Sequence, residues 1–324
     1  MERADLITAP INTELTRFKA LFAETLQSEN PLLDSVLKYV GQRSGKMMRP
    51  VLMLLIGRLC GEVNSSTYHA AIALELLHTA SLIHDDVVDE SGERRGQPSV
   101  NAMFNSKVSV LAGDYLLGTS LLHAERTKSY RIVEIVARLG QELADGEILQ
   151  LLNIESREFS EETYYKVIDK KTAVLFAAGT EAAACSAGAD AQTIETARLL
   201  GRHIGLCFQI KDDLFDYDSQ ANIGKPTGND MREGKLTLPV LHVLNRTQDA
   251  AATALAHRVK AGEATAEEIA RLVDFTKANG GLTYAETIME QYRRQALDLL
   301  ATFPTSAVRT ALEAYVDYVS LRNK

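Results

Sequence analysis

The chain consists largely of segments in which apolar residues recur every three or four positions. Near its start, Ile11, Leu15, Phe18 and Phe22 repeat at a spacing of four, three and four, which places them on one face of an α-helix. A series of the same period runs from Val308 to Val319 near the other end. Alternating apolar and polar runs, which indicate β-strands, are almost absent. The pattern predicts amphipathic helices at both ends; either could meet a second subunit, but we expect both to pack on the core.

Between these ends, five segments rich in Ala, Leu and Glu predict long helices: 67–90, 108–127, 131–153, 161–187 and 191–217. The polar breaks between helical stretches contain Gly, Pro and several basic residues: Gly41–Pro50, Gly92–Pro98 and Gly224–Pro239. No linker and no repeat of fixed period divides the chain. The sequence therefore predicts a single all-α domain over residues 1–324, built as a bundle of long helices.

Composition narrows the class of protein. Apolar residues make up 46% of the 324 residues, which excludes a disordered chain. The net charge of −8 argues against a nucleic-acid or anionic-membrane binder. We find no apolar run near the ~20 residues that span a bilayer and no secretory signal. The cysteines Cys60, Cys185 and Cys207 are far apart and predict reduced thiols in the cytoplasm.

The first chemical signal is an acidic helix end. Residues 84–90 read His-Asp-Asp-Val-Val-Asp-Glu. On a helix, Asp85 and Asp89 lie on one face, with Asp86 beside them. The preceding turns from Leu74 onward are mostly apolar, so this is not an ordinary solvated face. Carboxylates packed this closely, with no cysteine nearby, suit a hard cation such as Mg²⁺.

A second acidic helix end repeats this geometry 127 residues later. Here Asp212, Asp213 and Asp216 end the largely apolar stretch Leu199–Ile210. Two such ends that face each other across a bundle can hold several Mg²⁺ ions, and the bridging ligand is most naturally a diphosphate. The pair of clusters is a far stronger signal of a metal site than either cluster alone.

Basic side chains for an anionic substrate lie in the polar breaks. Arginine binds phosphate as a planar fork and lysine as a mobile point charge. The breaks contribute Lys46, Arg49, Arg94, Arg95, Lys225 and Lys235. Together with Lys171 and Thr172, on a predicted helix, they form a candidate diphosphate cradle.

These residues resemble those of the trans-type polyprenyl diphosphate synthases over roughly residues 40–240. The motifs that carry the resemblance are GKxxRP at 45–50, HDDVVDE at 84–90 followed by the arginine pair 94–95, KT at 171–172, QxxDDxxD at 209–216, and the Gly- and Lys-containing loop that ends at Lys235. The resemblance implies an all-α bundle around a deep central cavity, a homodimer, and two or three Mg²⁺ ions. It also implies head-to-tail condensation of isopentenyl diphosphate onto an allylic diphosphate.

The resemblance implies a role for each matching residue. The metal ligands are Asp85, Asp86, Asp89, Asp212, Asp213 and Asp216. The allylic diphosphate is held by Arg94, Lys171, Lys225 and Lys235, and isopentenyl diphosphate by Lys46, Arg49, His78 and Arg95. Thr172 and Gln209 help to position the reacting groups. Taken by itself, a lone histidine such as His78 in a Leu-rich stretch is usually a core residue.

The helix below the first cluster carries a signal of product length. Ser81, Leu77 and Leu74 lie beneath Asp85 at offsets of four, eight and eleven residues. In the family, bulky aromatic residues four or five positions before the first motif stop chain growth, whereas Ser81 and Ala80 are small. The resemblance therefore implies an open tunnel and a product of roughly seven to ten isoprene units, the class that commonly feeds quinone side chains.

Several alternatives stay open at this stage. Gly201 and Gly205 mark either tunnel space or a close helix–helix contact. A short-chain, geranylgeranyl-type synthase differs only in its tunnel. A class I terpene cyclase shares the first acidic cluster but normally has a different second motif. A subunit of a heteromeric synthase usually lacks the acidic motifs, both of which are intact here.

Overall fold

The computed structural model describes residues 3–42, 47–94, 96–217 and 227–322. Helix dominates, and the sole sheet in these ranges is a two-stranded antiparallel hairpin. The predicted all-α class is confirmed. None of the described helices is both long and apolar enough to cross a membrane.

The helices follow one another with short connections. The first eight are α1 (Arg3–Thr8), α2 (Asn12–Thr25), α3 (Pro31–Gly41), α4 (Met48–Cys60), α5 (Ser65–Val88), α6 (Val100–Phe104), α7 (Ser106–Arg126) and α8 (Tyr130–Glu155). The others are α9 (Glu161–Ile168), α10 (Val174–Ser186), α11 (Ala191–Phe215), α12 (Asn229–Arg232), α13 (Leu238–Thr247), α14 (Ala250–Lys260), α15 (Ala266–Ala278), α16 (Gly281–Ala301) and α17 (Ala307–Leu321). The strands of the hairpin are β1 (Glu93–Arg94) and β2 (Gln97–Pro98).

Four of the five long helices predicted from apolar periodicity are present as α5, α7, α8 and α11, with ends shifted by a few residues. Local capping explains where two of them begin. Asn64 and Thr67 form a capping box at the start of α5, and the Asp190 side chain accepts a hydrogen bond from Thr193 N at 2.8 Å in the first turn of α11. Such caps satisfy backbone N–H groups that have no partner within the helix.

The segment predicted as one helix over 161–187 has an interruption. A π-helical turn, Asp169–Ala173, separates α9 from α10. An inserted turn of this kind leaves the apolar periodicity on either side intact, so the sequence pattern does not reveal it. Such turns occur frequently at functional sites, and this one contains Lys171 and Thr172.

The chain divides into two compact units, each formed by three stretches. Unit 1 comprises Met1–Gln141, Leu175–Gly201 and Leu300–Tyr315. In this unit α5 packs along α7 and also contacts α4, and Phe18, Leu54 and Leu76 are fully buried. The predicted single-domain organisation stays a prediction.

Unit 2 comprises Glu142–Val174, Arg202–Leu299 and Val316–Lys324. Its α13 packs against both α9 and α15. Leu238 and Leu272 are fully buried in its core.

Gly201, in unit 1, lies at a close helix–helix contact. A Cβ on Gly201 would lie 2.2 Å from Thr180 Oγ1 and 2.5 Å from the carbonyl oxygen of Phe176, both in α10. No side chain fits in that space, so α11 requires glycine there in order to pack against α10. Of the two alternatives for Gly201, the helix–helix contact is therefore the one present.

Candidate active site

The first acidic cluster lies at the carboxyl end of α5. The helix ends at Val88, and Glu90 has a left-handed backbone with φ of 49°. Asp85 is half-buried and Asp89 is exposed, four residues apart on one face. Both carboxylates are therefore presented at the surface of unit 1.

Asp86 differs from its two neighbours because its carboxylate is turned into the protein. It is 2% exposed, and Arg94 Nε in β1 donates a hydrogen bond to Asp86 Oδ1 at 2.6 Å. The ion pair fixes the β1–β2 hairpin against the end of α5. Two residues predicted to hold different groups, a metal ion and a diphosphate, are thus bound to each other.

The donor chemistry of this cluster fits Mg²⁺, which prefers carboxylate and water oxygens. Within the described ranges, no group of three or more His, Cys, Asp or Glu side chains is arranged to hold a metal ion. The half-buried Asp85 and the exposed Asp89 would suit an ion that is also bound by water and substrate phosphates, as Mg²⁺ commonly is.

A cavity of about 230 Å³ opens beside this cluster within unit 1. Its wall combines apolar side chains of α2, such as Phe22, with His78, Asp86 and Arg94. His78 is 8% exposed, and it lines this cavity rather than the packed core alone. Both readings of His78 from the sequence, a buried residue and a site residue, therefore agree with its position.

Other basic residues predicted for the substrates fall into two groups. Arg49 lies in the first turn of α4, with its guanidinium 5.2 Å from the centre of the Phe176 ring. Lys46, Arg95 and Lys225 lie outside the described residues.

The second acidic cluster, at the end of α11, places its three carboxylates in different surroundings. Asp212 has 40% of its side chain exposed, and it forms an ion pair with Arg322, which follows α17. The Arg322 guanidinium also stacks over Phe208, 3.9 Å from the ring centre. Sequence reasoning missed Arg322, whose only signal is a basic residue close to the chain end.

Asp213 is buried in a hydrogen-bond network. It is 3% exposed and accepts hydrogen bonds from the Tyr164 hydroxyl at 2.5 Å and from Gln209 Nε2 at 2.8 Å. Burial raises the pKa of the Asp213 carboxyl to about 7, although both hydrogen bonds lower it. Asp213 therefore faces protein donors, and no sequence motif pointed to Tyr164 as one of them.

Asp216 caps the next helix. Its two carboxylate oxygens accept hydrogen bonds from the backbone N–H groups of Asn229 at 2.8 Å and Asp230 at 3.2 Å. These are the first residues of α12. Burial raises the pKa of Asp216, while the two backbone donors lower it. Asp213 and Asp216 thus face protein donors, whereas 40% of the Asp212 side chain is exposed.

Lys171 is held by an acid that the sequence analysis did not select. In the π-helical turn, Lys171 forms an ion pair with Glu147 of α8, while the adjacent Lys170 pairs with Glu142 and Asp145. The two elements approach closely because residue 146, next to Glu147, is glycine. Its position inside a helix, where glycine is unfavourable, is the sequence signal that was available.

The remaining predicted residues are in their expected elements. The Thr172 hydroxyl donates to Gln209 Oε1 at 2.6 Å. Lys235 Nζ pairs with Glu233 at 2.7 Å. These contacts all lie in unit 2, where they tie the π-helical turn to α11 and fix the loop after α12.

The residues predicted to line the tunnel lie along α5 in unit 1. Leu74 and Leu77 are 3% exposed and Ala80 is fully buried. Ser81 is half-buried, with its hydroxyl donating to the carbonyl of His78 at 2.9 Å. Of the two small positions, Ser81 alone is accessible in this unit.

The all-α fold, with an aspartate cluster at each of two helix ends, is the isoprenoid synthase fold of solved polyprenyl synthases. Comparison with known proteins identifies the family. A family model described as polyprenyl synthetase matches residues 30–276. The chain belongs to this family, so it is a prenyl diphosphate synthase, a prenyltransferase.

Three relatives illustrate the similarity. An all-trans-nonaprenyl-diphosphate synthase (geranyl-diphosphate specific) from Rhodobacter capsulatus is 34% identical over 94% of both chains. An octaprenyl diphosphate synthase from Haemophilus influenzae is 35% identical over 89% of this chain and 87% of the relative. A crystal structure of geranylgeranyl pyrophosphate synthase from Bacteroides thetaiotaomicron is 54% identical, with a TM-score of 0.88 over 99% of this chain and 100% of that chain.

Proposed function

We propose that this enzyme condenses isopentenyl diphosphate head-to-tail onto an allylic diphosphate, such as farnesyl diphosphate, to make a long-chain all-trans polyprenyl diphosphate for quinone side chains. The observation that carries the proposal is the pair of acidic helix ends, each of which has an arginine paired with one of its aspartates: Arg94 with Asp86 and Arg322 with Asp212. Family membership and the names of the nonaprenyl and octaprenyl synthases support it.

The proposed metal ligands are Asp85 and Asp89 of unit 1 and Asp212 of unit 2. We propose two or three Mg²⁺ ions as the cofactor, because all three ligands are carboxylates. Bound Mg²⁺ would neutralise negative charge on the departing diphosphate. Asp86, Asp213 and Asp216 would act through the protein contacts that hold the ligands in place.

The basic residues complete the proposed diphosphate sites. Lys171, Lys225 and Lys235 would bind the allylic diphosphate and stabilise the negative charge that develops as its C–O bond breaks. Glu147 keeps the Lys171 ammonium in one place, which lowers the cost of ordering it when substrate binds. Arg94 uses one nitrogen for Asp86 and has others that would face phosphate.

The cavity of unit 1 is the proposed place for isopentenyl diphosphate. Its apolar wall suits the short hydrocarbon, while His78 supplies a donor. Lys46, Arg49 and Arg95 would bind the diphosphate end. Because the attacking group is a carbon–carbon double bond, no side-chain nucleophile is required; the proton lost afterwards passes to the released pyrophosphate.

For product length we propose roughly seven to ten isoprene units, because small residues stand where a bulky side chain would stop growth. Ser81 is the accessible one of these. The second candidate is a shorter, geranylgeranyl-type product. The name of the 54% identical Bacteroides protein favours it.

We also propose a homodimer. Along α7, one face carries exposed apolar side chains at helical spacing: Leu111 is 68% exposed, Leu122 58% and Tyr115 39%. An apolar face of this kind on a protein surface typically marks an association site.

A cytoplasmic location is proposed in addition, since Cys60, Cys185 and Cys207 are all free thiols.

The test is condensation of labelled isopentenyl diphosphate with farnesyl diphosphate, with and without Mg²⁺. Label should enter prenyl product only when Mg²⁺ and both substrates are present. Asp85→Asn and Asp89→Asn should each lower turnover by about a hundredfold or more. Asp249→Asn is the matched control, because Asp249 caps α14 and asparagine caps equally well. Condensation without Mg²⁺, or full activity in the Asp85 variant, would overturn the proposal.

A further inference from the structure

Tyr164 belongs to no recognised acidic or basic motif, yet it contacts the second acidic cluster. It lies in α9 and is 4% exposed. Its hydroxyl donates to Asp213 Oδ2 at 2.5 Å. A tyrosine hydroxyl buried against a carboxylate makes a strong, charge-assisted hydrogen bond when that carboxylate is ionised.

The hydrogen bond of Tyr164 is the first of three in a row. On the other side of the same carboxylate, Gln209 Nε2 donates to Asp213 Oδ1 at 2.8 Å. At the far end of that glutamine, Thr172 Oγ1 donates to Gln209 Oε1 at 2.6 Å. The chain thus runs through unit 2 from α9, by way of α11, to the π-helical turn.

With the Asp213 carboxyl ionised, donor and acceptor chemistry fixes the direction of each hydrogen bond in this chain. Both carboxylate oxygens of Asp213 accept, so the amide nitrogen of Gln209 must face Asp213. The amide oxygen then faces Thr172 and receives its hydroxyl proton. A threonine hydroxyl has one proton to donate. With that proton directed at Gln209, Thr172 Oγ1 offers only acceptor lone pairs to a third group.

We propose that Tyr164 is a positioning residue that acts through Asp213 and Gln209 to keep the Thr172 oxygen an acceptor toward the reacting groups. The inference rests on the proposed function, because Thr172 is one of the residues that would position those groups. Removing the Tyr164 hydroxyl takes one of the two donors away from a buried carboxylate. Asp213 would then rotate toward other donors, and the orientation of the Gln209 amide would no longer be fixed.

The experiment compares Tyr164→Phe with Tyr284→Phe as a matched control. The Tyr284 hydroxyl also donates to a carboxylate in unit 2, Glu161 Oε2 at 2.9 Å, but it has no link to Thr172. We expect Tyr164→Phe to lower kcat about tenfold, with KM for either diphosphate changed less than about twofold, since misplaced reacting groups lower rate more than binding. Tyr284→Phe should keep kcat, and thermal unfolding should show similar small losses in both variants.

A double-variant cycle tests whether the effect passes through Thr172. Thr172→Val removes the hydroxyl and keeps the shape, so Tyr164→Phe should change kcat less than about twofold in that background. If Tyr164→Phe does not fold, Asp213→Asn, which keeps the side-chain shape, replaces it in the same cycle with the same expectation.

The outcomes separate the inference from the proposed function. Wild-type kcat in the Tyr164→Phe enzyme, or an undiminished tenfold loss when Thr172 is already Val, overturns the inference alone. A wild-type protein that forms no prenyl product overturns the proposed function and this inference with it.

Discussion

Replacing Gly146 by alanine should displace Lys171 from its ion pair with Glu147. Gly140, a second glycine of the same helix, provides the control substitution. A Cβ at residue 146 would lie 2.8 Å from Lys170 Cβ and 3.1 Å from Lys171 Cγ. Gly140, also in α8, has room, because a Cβ there would meet only Leu77 Cδ1, at 3.7 Å. The two substitutions add the same methyl group to the same helix but differ in what it meets.

The expected magnitudes follow from these distances. Glycine to alanine inside a helix stabilises by about 1 kcal/mol where the methyl group fits, so Gly140→Ala should raise the thermal midpoint. At residue 146 the contact with Lys170 must open by about 0.6 Å to reach an ordinary 3.4 Å separation. Overpacking of this kind costs about 1–3 kcal/mol. Gly146→Ala should therefore be no more stable than wild type, and up to about 2 kcal/mol less stable.

The same shift should be visible in catalysis. The π-helical turn carries Lys171, so its displacement moves the ammonium group away from Glu147 and from the proposed diphosphate. We expect kcat of Gly146→Ala to fall at least about tenfold, because displacements below 1 Å are already costly at a reacting centre, while Gly140→Ala keeps full turnover. Calorimetry and steady-state rates on both variants make the measurement. A Gly146→Ala enzyme as stable and as active as Gly140→Ala would show that residue 146 has room for a methyl group and that Lys171 does not depend on it.

Three further predictions concern the tunnel, the second acidic cluster and the proposed dimer. Ser81→Tyr should shorten the main product by several isoprene units at retained turnover, and an unchanged product pattern on mass analysis would remove Ser81 from the tunnel wall. Arg322→Met removes a cation paired with Asp212, so Asp212 should bind Mg²⁺ more tightly. In thermal unfolding with pyrophosphate present, the Mg²⁺ concentration that gives half of the maximal stabilisation should fall about threefold or more. An equal or higher concentration would contradict this. Leu111→Glu with Leu122→Glu places charges on the exposed face of α7 and should give monomers by light scattering, whereas a stable dimer would locate the interface elsewhere.

Much of the fold was predictable because each long helix carries its own apolar period. The π-helical turn Asp169–Ala173 was not, since one inserted turn leaves the apolar pattern on both sides unchanged. The acidic motifs predicted the candidate site, but spacing alone treats all three aspartates of a motif as equal. Their different surroundings depend on contacts distant in sequence, such as Tyr164 with Asp213 and Arg322 with Asp212. Those partners lie 49 and 110 residues away from the aspartates that they contact.

Extension of an allylic diphosphate to a long chain is the activity from which the proposed roles of the site residues follow. The most direct test incubates the purified wild-type protein with Mg²⁺, farnesyl diphosphate and excess isopentenyl diphosphate, and then sizes the products by mass spectrometry. We expect a series of prenyl diphosphates that ends at roughly seven to ten isoprene units. A series that stops at geranylgeranyl diphosphate would contradict the long-chain product but not the condensation reaction. No condensation from any allylic primer would contradict the proposed function.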